Sequence, residues 1–323
     1  MKKILVTSIG SVAGDIVIKN LRKEQHYIVG CDIYPKEWIV DAYNVDTFYS
    51  APYVSEADKY LDFIKKICIK EEINYIFPLI DYEIDVLNAN RTWFIENNIC
   101  ICISPKETID LIRNKKNLAD FLEVNVQEIN SIPTMMLRDI KNYPKWDFPV
   151  VCKPFNGRSS QGLEYIHTNE EWNKFIEKAD KNVYIVQPFI EGYNVMVEIV
   201  RSTDNKVIAI TRKGGLLSTA NGCGLVVYMY QDKVLEERCM KVAEKLGVVG
   251  CVNFEFLCDG DKYHFVECNP RFSAGCEFSC MAGYDCIINH LRCFTNAKID
   301  DYTFKHNQYI ARKYEEYVTK IEE

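Results

Sequence analysis

Two apolar runs near the C-terminal end carry the residues best suited to metal chemistry. Glu255 lies in the first run, and Glu267 and Asn269 lie in the second, with an Asp-Gly pair between them that is typical of a hairpin turn. Antiparallel pairing would place the two carboxylates side by side, with the amide oxygen next to them. Carboxylate and amide oxygens are ligands that Mg2+ prefers. Because burying two like charges without a cation is costly, the sequence predicts a magnesium site here rather than a solvated hairpin.

Two cations and a small polar loop predict an anionic partner for this site. Arg271 follows Asn269 closely, and its planar charge suits phosphate or carboxylate. Lys153 ends a short apolar strand, where its ammonium group would be poorly solvated. The next loop offers backbone N–H groups and hydroxyls to a phosphate: Gly157, Arg158, Ser159, Ser160, Gln161 and Gly162. It is not a GxxxxGK[ST] sequence, so only its position between the lysine and the carboxylates favours phosphate binding over a plain turn.

The composition limits the classes of partner. The 323 residues are 48% hydrophobic and 26% charged with a net charge of −7, which leaves no basic surface for nucleic acid. No apolar run reaches membrane-spanning length, and the first strand begins at once, without a signal peptide. Most of the 14 cysteines lie in apolar segments without CxxC spacing, which predicts reduced thiols and a cytoplasmic protein. We interpret the cluster Cys276, Cys280 and Cys286 as packing.

The first 104 residues alternate between strand and helix patterns. Apolar strands are predicted at 3–9, 27–33, 75–80 and 99–103, with helices near 57–71 and 83–96 between the later ones. Such alternation predicts a doubly wound parallel sheet. Gly10 and Gly14 leave the GxGxxG fingerprint one glycine short, so an NAD site is not predicted, although Asp32 ends the second strand.

The pattern of helices and strands changes after residue 104. Helix patterns near 108–113 and 115–122 precede short strands, and long alternating strands near 193–201 and 206–211 predict antiparallel pairing. The length suits two or three lobes, each with its own core. We predict a Rossmann-like domain over 1–104, a small lobe with the polar loop over 105–190, a C-terminal lobe with the metal site over 191–300 and a tail over 301–323.

One strand end offers a surface for a planar base. Pro188 removes a ladder donor after Gln187, and Phe189 and Ile190 add apolar surface beside the freed backbone groups. A simple transition from strand to turn explains these residues equally well.

Taken in order, Lys115, Lys153-Pro154, GRSSQG, QPFIEG, NFEF and ECNPR resemble the ATP-grasp superfamily, especially its carbamoyl-phosphate synthase-like and amino-acid ligase-like branch. The resemblance covers the chain to about residue 295. It implies a Rossmann-like pre-ATP-grasp parallel sheet followed by a two-lobed ATP-grasp fold with antiparallel sheets. It also implies ATP and one or two Mg2+ ions as cofactors, with Mn2+ as a substitute.

The resemblance further implies roles for individual residues. Lys115 and Lys153 would contact ATP phosphates, and the loop from Gly157 to Gly162 would form a lid over them. The adenine would lie against Gln187, Pro188, Phe189 and Ile190, and Arg271 would stabilise the transferring phosphoryl group. Glu255, Glu267 and Asn269 would bind Mg2+. Asn194 falls where relatives often carry a ribose-binding glutamate, which leaves the ribose contact open between it, Glu191 and Glu198.

The implied activity is that of a ligase that joins a small-molecule carboxylate to an amine through an acyl phosphate. Arg212, Lys213 and the glycine-rich segment 214–224 are candidates for substrate contact, with a mobile loop or a plain long turn as equal interpretations of that segment. Alternatives are carboxy-phosphate chemistry of the carbamoyl-phosphate synthase type and a non-catalytic ATP-binding regulatory or scaffold protein. A homodimer is compatible with the sequence.

Overall fold

The computed structural model describes residues 1–158, 160–219, 224–260 and 262–322. Its N-terminal part is a parallel sheet with the strand order β3-β2-β1-β4-β5, which confirms the predicted doubly wound sheet. The strands are β1 (Lys3–Thr7), β2 (Tyr27–Asp32), β3 (Thr47–Ser50), β4 (Tyr75–Phe77) and β5 (Cys100–Ile101). The helices are α1 (Gly14–Lys23), α2 (Ala57–Lys70), α3 (Asp81–Ala89) and α4 (Arg91–Glu96), with 3-10 helices at Lys36–Trp38 and Val40–Tyr43.

The helix predicted over 83–96 is two helices. Asn90 separates them, because its backbone leaves helical geometry at φ −117° and ψ 21°. The first of them, α3, begins shortly after β4 ends. The carboxyl ends of parallel strands meet at one edge of a sheet, where open α/β folds bind their ligands. The fold therefore puts the first turn of α3 at a functional edge.

The middle of the chain forms a small antiparallel sheet with its own core. Helices α5 (Lys106–Ile112) and α6 (Lys115–Asn125) lead to β6 (Asn130–Ser131), and the sheet order is β7-β10-β8-β9. These strands are β7 (Met135–Met136), β8 (Val150–Pro154), β9 (Glu164–Ile166) and β10 (Tyr184–Pro188), accompanied by α7 (Asn169–Lys178) and a 3-10 helix at Leu137–Asp139. Trp172 of α7 is 1% exposed and packs in a cluster with Val150 and Val186.

The C-terminal part is a seven-stranded sheet with the order β16-β13-β12-β11-β14-β15-β6. Only β6 runs parallel to its neighbour among these pairings, and it comes from the middle of the chain. The other strands are β11 (Tyr193–Arg201), β12 (Val207–Ser218), β13 (Gly224–Met229), β14 (Gly250–Asp259), β15 (Lys262–Asn269) and β16 (Gln308–Ala311). The helices are α8 (Lys233–Leu246), α9 (Cys276–Met281) and α10 (Cys286–Cys293).

Two features differ from the sequence-based expectations. The strand predicted over 206–211 continues to Ser218, so the first part of the predicted substrate loop is strand, and residues 220–223 lie outside the described residues. The N-terminal and C-terminal parts do not have separate cores, because Leu5 shares one apolar cluster with Phe254 and Ile4 shares another with Phe278. The predicted four-part division of the chain remains a prediction.

None of the helices within the described ranges combines the length and the hydrophobicity that a membrane crossing requires.

Candidate functional site

The hairpin of β14 and β15 places the two predicted metal-binding carboxylates opposite each other. Glu255 pairs with Glu267 in the antiparallel ladder, which confirms the predicted pairing. The Asn269 Nδ2 atom donates to Glu255 Oε1 at 2.8 Å and to Glu267 Oε1 at 3.2 Å. One amide group thus lies between two carboxylates, and all three side chains converge. This oxygen-rich set fits Mg2+ when the amide presents its oxygen, an orientation that depends on the hydrogen-bonding partner.

The two carboxylates have different electrostatic surroundings. Burial and the neighbouring Glu267 raise the pKa of Glu255. Burial also acts to raise the pKa of Glu267, but Lys115 and Lys153 outweigh it, so the pKa of Glu267 is lowered. The negative charge of Glu255 is therefore less well balanced by neighbouring positive charge than that of Glu267. A divalent cation beside Glu255 would supply the missing positive charge.

Two lysines border this carboxylate pair. Lys115 lies 3.2 Å from Glu267 Oε2 and donates to the Gly157 carbonyl at 2.7 Å. Its place is fixed by the start of α6, where the Asn114 side chain accepts hydrogen bonds from the first turn. Lys153 lies in β8, and burial lowers its pKa to about 8, although Glu267 acts in the opposite direction. Both ammonium groups are positioned to attract the anionic part of a ligand.

Arg271 is held by Asp81, a residue that was not among the predicted site residues. Its Nε atom donates to Asp81 Oδ2 at 2.9 Å, and its Nη2 atom lies 3.4 Å from Asn269 Oδ1. Asp81 is 7% exposed and is the first residue of α3. The available signal was its place directly after the apolar segment 75–80, at the carboxyl end of a parallel strand.

The predicted lid contacts the N-terminal part of the protein. Arg158 forms an ion pair with Asp85 of α3, and its guanidinium lies over the Tyr82 ring, 4.0 Å from the centroid. The Tyr82 hydroxyl donates to Gln161 Oε1 at 3.3 Å. Ser159 lies outside the described residues. Arg158 is therefore engaged by a carboxylate and an aromatic ring, and its predicted contact with ATP remains a prediction.

The end of the lid follows an unusual backbone path. Ser160 and Gly162 have φ values of 56° and 69°. A Cβ atom on Gly162 would lie 2.9 Å from the Tyr184 hydroxyl. Glycine is thus required there both for its conformation and for space.

We expect Asp85→Asn to loosen the lid. The ion pair between Arg158 and the partly exposed Asp85 contributes at most about 1 kcal/mol. Its loss should therefore make tryptic cleavage after Arg158 up to about fivefold faster. Limited proteolysis followed by mass spectrometry measures that rate. Asp62→Asn, an exposed carboxylate on α2, is the matched control. Equal cleavage rates in both variants would show that the Arg158–Asp85 pair does not restrain the lid.

The predicted adenine-binding segment lies at the end of β10. Gln187 is 5% exposed, and its Nε2 atom donates to Thr134 Oγ1 at 2.8 Å, so its side chain is occupied within the protein. Pro188 ends the strand, and Ile190 lies beyond it. Phe189 is 40% exposed and meets the Tyr165 ring edge-on at 5.9 Å. The exposed apolar surface predicted for a base is therefore provided mainly by Phe189 and its surroundings.

Asn194 lies on the same face of the seven-stranded sheet as Glu255. It is two residues from Met196 in β11, and Met196 pairs with Glu255. Residues two apart in a strand share a face. Asn194 is also exposed, so its predicted contact with the ligand is geometrically allowed and remains a prediction.

Arg212 is buried beneath the site. It is 2% exposed and donates to Glu198 Oε2 at 2.8 Å and to Asn253 Oδ1 at 2.9 Å. Asn253 in turn donates to Glu255 Oε1 at 3.2 Å. Through this chain of contacts Arg212 supports the position of Glu255. Its burial does not favour the predicted contact with substrate.

Lys213 lies on the other face of the sheet. In β12 it pairs with Val195, whereas its neighbour pairs with Met196, which also pairs with Glu255. Because successive strand residues point to opposite faces, the Lys213 side chain is directed away from Glu255. Its Nζ atom lies 3.8 Å from the centre of the Tyr193 ring. The structure therefore does not bring Lys213 to the site, contrary to the expectation for a substrate contact.

We expect Gly275→Ala to disrupt the support beneath Glu255. An added Cβ atom would lie 2.9 Å from Arg212 Nε, so the guanidinium would have to move. Overpacking of this kind costs about 1–3 kcal/mol of unfolding free energy, which denaturant titration measures. The matched control is Gly224→Ala, where the nearest atom of the described residues, Val227 Cγ1, would lie 3.7 Å from the added Cβ atom. Equal stability of both variants would contradict the tight packing around Arg212.

The three clustered cysteines do not form a metal site. Cys276 and Cys286 are buried, Cys280 is half-buried, and all three are free thiols. In the part of the chain that the structure describes, no group of three or more histidine, cysteine, aspartate or glutamate side chains is arranged to hold a metal ion. The predicted Mg2+ set has two carboxylates and one amide. The interpretation of the cysteines as packing residues is consistent with this arrangement.

Three family models match the chain, and two of them overlap over residues 180–246. A PylC-like N-terminal domain matches residues 4–102, and a D-ala D-ala ligase C-terminus matches residues 113–246. An ATP-grasp in the biosynthetic pathway with Ter operon matches residues 180–317. Residues 180–317 therefore form an ATP-grasp region. The superfamily suggested by the six ordered motifs is thus confirmed.

Relatives of this ATP-grasp protein are distant. The carbamoyl phosphate synthase large chain of Thermoplasma volcanium is 24% identical over 288 residues, which is 82% of this chain and 27% of that protein. The chain therefore spans only about a quarter of the length of this curated relative.

Solved structures share the ATP-grasp fold. The biotin carboxylase domain of Hydrogenobacter thermophilus 2-oxoglutarate carboxylase, in complex with MgADP, ADP and bicarbonate, matches with a TM-score of 0.75 and 17% identity, covering 95% of this chain and 73% of that one. The L-amino acid ligase from Bacillus licheniformis matches with a TM-score of 0.66 and 14% identity, covering 85% and 68%.

Proposed function

We propose that this ATP-grasp protein is an ATP-dependent ligase that joins a carboxylate to an amine through an acyl phosphate. The observation that carries the proposal is the convergence of the Glu255–Asn269–Glu267 group with Lys115 and Arg271. The same fold in an L-amino acid ligase supports it.

The chemistry proceeds in two displacements. An oxygen of the substrate carboxylate attacks the γ-phosphorus of ATP, and the bond to the β,γ-bridging oxygen breaks to release ADP. The amine nitrogen then attacks the acyl carbon, inorganic phosphate leaves, and the nitrogen loses a proton. The protein contributes position and charge rather than covalent chemistry.

The residues divide this work. Glu255, Glu267 and Asn269 would hold Mg2+, which when bound neutralises phosphate charge. Lys115 and Lys153 would hold the phosphates, and Arg271 would offset the charge of the transferring phosphoryl group. Phe189 would support the base, and the lid from Gly157 to Gly162 would exclude water.

We further propose the cofactors, the location and the assembly of the protein. One or two Mg2+ ions act with ATP, and Mn2+ can replace them. The cysteines in the described ranges are all free, which supports a cytoplasmic location. A homodimer is proposed as its assembly.

A second candidate is phosphorylation of bicarbonate to carboxyphosphate. The match to a carbamoyl phosphate synthase large chain favours it, as does the bicarbonate in the 2-oxoglutarate carboxylase structure of the same fold. Both candidates use the same phosphoryl-transfer site and differ only in the acceptor.

Phosphate release from ATP distinguishes these candidates. The assay crosses a panel of carboxylates, including bicarbonate, with a panel of amines in the presence of Mg2+, and Glu267→Gln serves as the inactive control. Release that requires one organic carboxylate and one amine supports the ligase. Release with bicarbonate alone supports the second candidate. ATP binding without release from any pair would contradict both and indicate a non-catalytic ATP-binding protein.

A further inference from the structure

We propose that Asp81 is a positioning residue that sets the orientation of Arg271 for phosphoryl transfer. This inference rests on the proposed function, because it assigns Arg271 to the transferring phosphoryl group. The two residues are 190 positions apart and meet where the first residue of α3 lies beside the segment that follows β15.

The contacts of Arg271 fix the plane of its guanidinium group. Asp81 Oδ2 accepts from Nε at 2.9 Å, and the Phe272 carbonyl accepts from Nη1 at 3.2 Å. The third nitrogen, Nη2, lies 3.4 Å from Asn269 Oδ1. With Nε bonded to Asp81 and Nη1 bonded to the Phe272 carbonyl, Nη2 is the nitrogen directed to the predicted metal ligand Asn269. A planar cation held in this way can contact a phosphoryl oxygen without reorientation.

The charge balance around Asp81 also favours this role. Burial alone would raise the pKa of Asp81, but Arg271 and Arg113 outweigh it, so the pKa is lowered and the carboxylate stays charged. Its Oδ2 atom accepts a hydrogen bond from Arg271, whereas within the described residues Oδ1 has the longer ion pair with Arg113 Nη1 at 3.6 Å. The shorter, hydrogen-bonded contact is thus the one to the arginine at the metal site.

A purely structural ion pair between the two parts of the chain would make the same contacts. The two roles differ in what they do to ligand binding. An ion pair that only joins the two parts would, when broken, affect the binding of all nucleotides alike. A positioning residue acts selectively on the ligand that presents a group where the γ-phosphoryl is transferred.

The test compares Mg·ADP with Mg·ADP plus aluminium fluoride, a mimic of the transferring phosphoryl group, by calorimetry. We expect Asp81→Asn to weaken binding of the fluoroaluminate complex by about 10- to 100-fold, the usual range for residues that orient a functional group. Binding of Mg·ADP alone should change by no more than about twofold. Asp110→Asn on α5, a half-exposed carboxylate paired with Lys106, is the matched control and should change neither affinity.

A double-mutant cycle with Arg271→Ala gives the second readout. If Asp81 acts through Arg271, adding Asp81→Asn to Arg271→Ala should weaken fluoroaluminate binding no further. Equal weakening of both ligands by Asp81→Asn, or additive effects in the cycle, would overturn the proposal. If Asp81→Asn does not fold, Asp81→Glu keeps the charge but displaces the carboxylate by one methylene, and the same comparison applies.

The outcomes separate this inference from the proposed ligase activity. If no substrate pair releases phosphate but the selective loss is observed, the ligase activity is contradicted and the positioning role is supported. If the wild-type protein binds the fluoroaluminate complex no more tightly than Mg·ADP, the role of Arg271 is contradicted, and the inference about Asp81 fails with it.

Discussion

Glu267→Gln and Glu255→Gln should each lower turnover by about 10²- to 10³-fold, and they should change stability in opposite directions. The loss of turnover follows because each variant removes one charged ligand from the proposed Mg2+ site. Steady-state phosphate release at saturating ATP, with Mg2+ titrated, measures it. Glu96→Gln, an exposed carboxylate at the end of α4, is the control that should retain activity.

The opposite stability effects follow from the surroundings of the two carboxylates. The pKa of Glu255 is raised, so its charged form is disfavoured in the folded protein, and replacing it by a neutral amide at pH 8 should raise the melting temperature. The pKa of Glu267 is lowered by Lys115 and Lys153, against the effect of burial, so its charge stabilises the fold at that pH, and its removal should lower the melting temperature. Thermal unfolding in buffer with a chelator tests this. If both variants shift the melting temperature in the same direction, the two carboxylates do not differ in how well their charges are balanced.

Lys153→Gln should also lower turnover by about 10²- to 10³-fold and should abolish a proton uptake that accompanies nucleotide binding. Burial lowers the pKa of Lys153 to about 8, so at pH 8.5 a large part of its ammonium groups has lost the proton. A bound triphosphate favours the charged form and would draw the proton back, so nucleotide affinity should fall as the pH rises through about 8.

Calorimetry in two buffers with different ionisation enthalpies measures this uptake. The wild-type protein should take up a fraction of a proton more than Lys153→Gln at pH 8.5, and the difference should vanish near pH 6.5, where the ammonium is already charged. Equal uptake by the two proteins at pH 8.5 would show that Lys153 does not titrate on binding.

The pairing of Glu255 with Glu267 could be predicted from the local sequence pattern alone. Alternating apolar residues around an Asp-Gly turn specify an antiparallel hairpin, and the period of two then places Glu255 and Glu267 on one face. The alternation of strands and helices specifies the parallel sheet in the same way, since it follows from residues close in sequence.

Other residues were assigned less well because their positions depend on strand length and register. Lys213 was expected near substrate, but β12 extends to Ser218 and its register turns that side chain to the other face. Arg212 lies on the same face of the sheet as Glu255, but its hydrogen bonds to Glu198 and Asn253 hold it below the surface. A glycine-rich segment gave no local sign that it continues a strand.

Local patterns in the chain predict the two kinds of sheet and the paired carboxylates, because each depends on spacing within short segments. The order of the motifs from Lys115 to Arg271 indicates the ATP-grasp superfamily. The contacts of Asp81 with Arg271 and of Asp85 with Arg158 of the lid could not be predicted from local patterns. Those contacts join residues far apart in the chain, and they form because α3 packs against elements whose positions are set by the cores shared between the N-terminal and C-terminal parts.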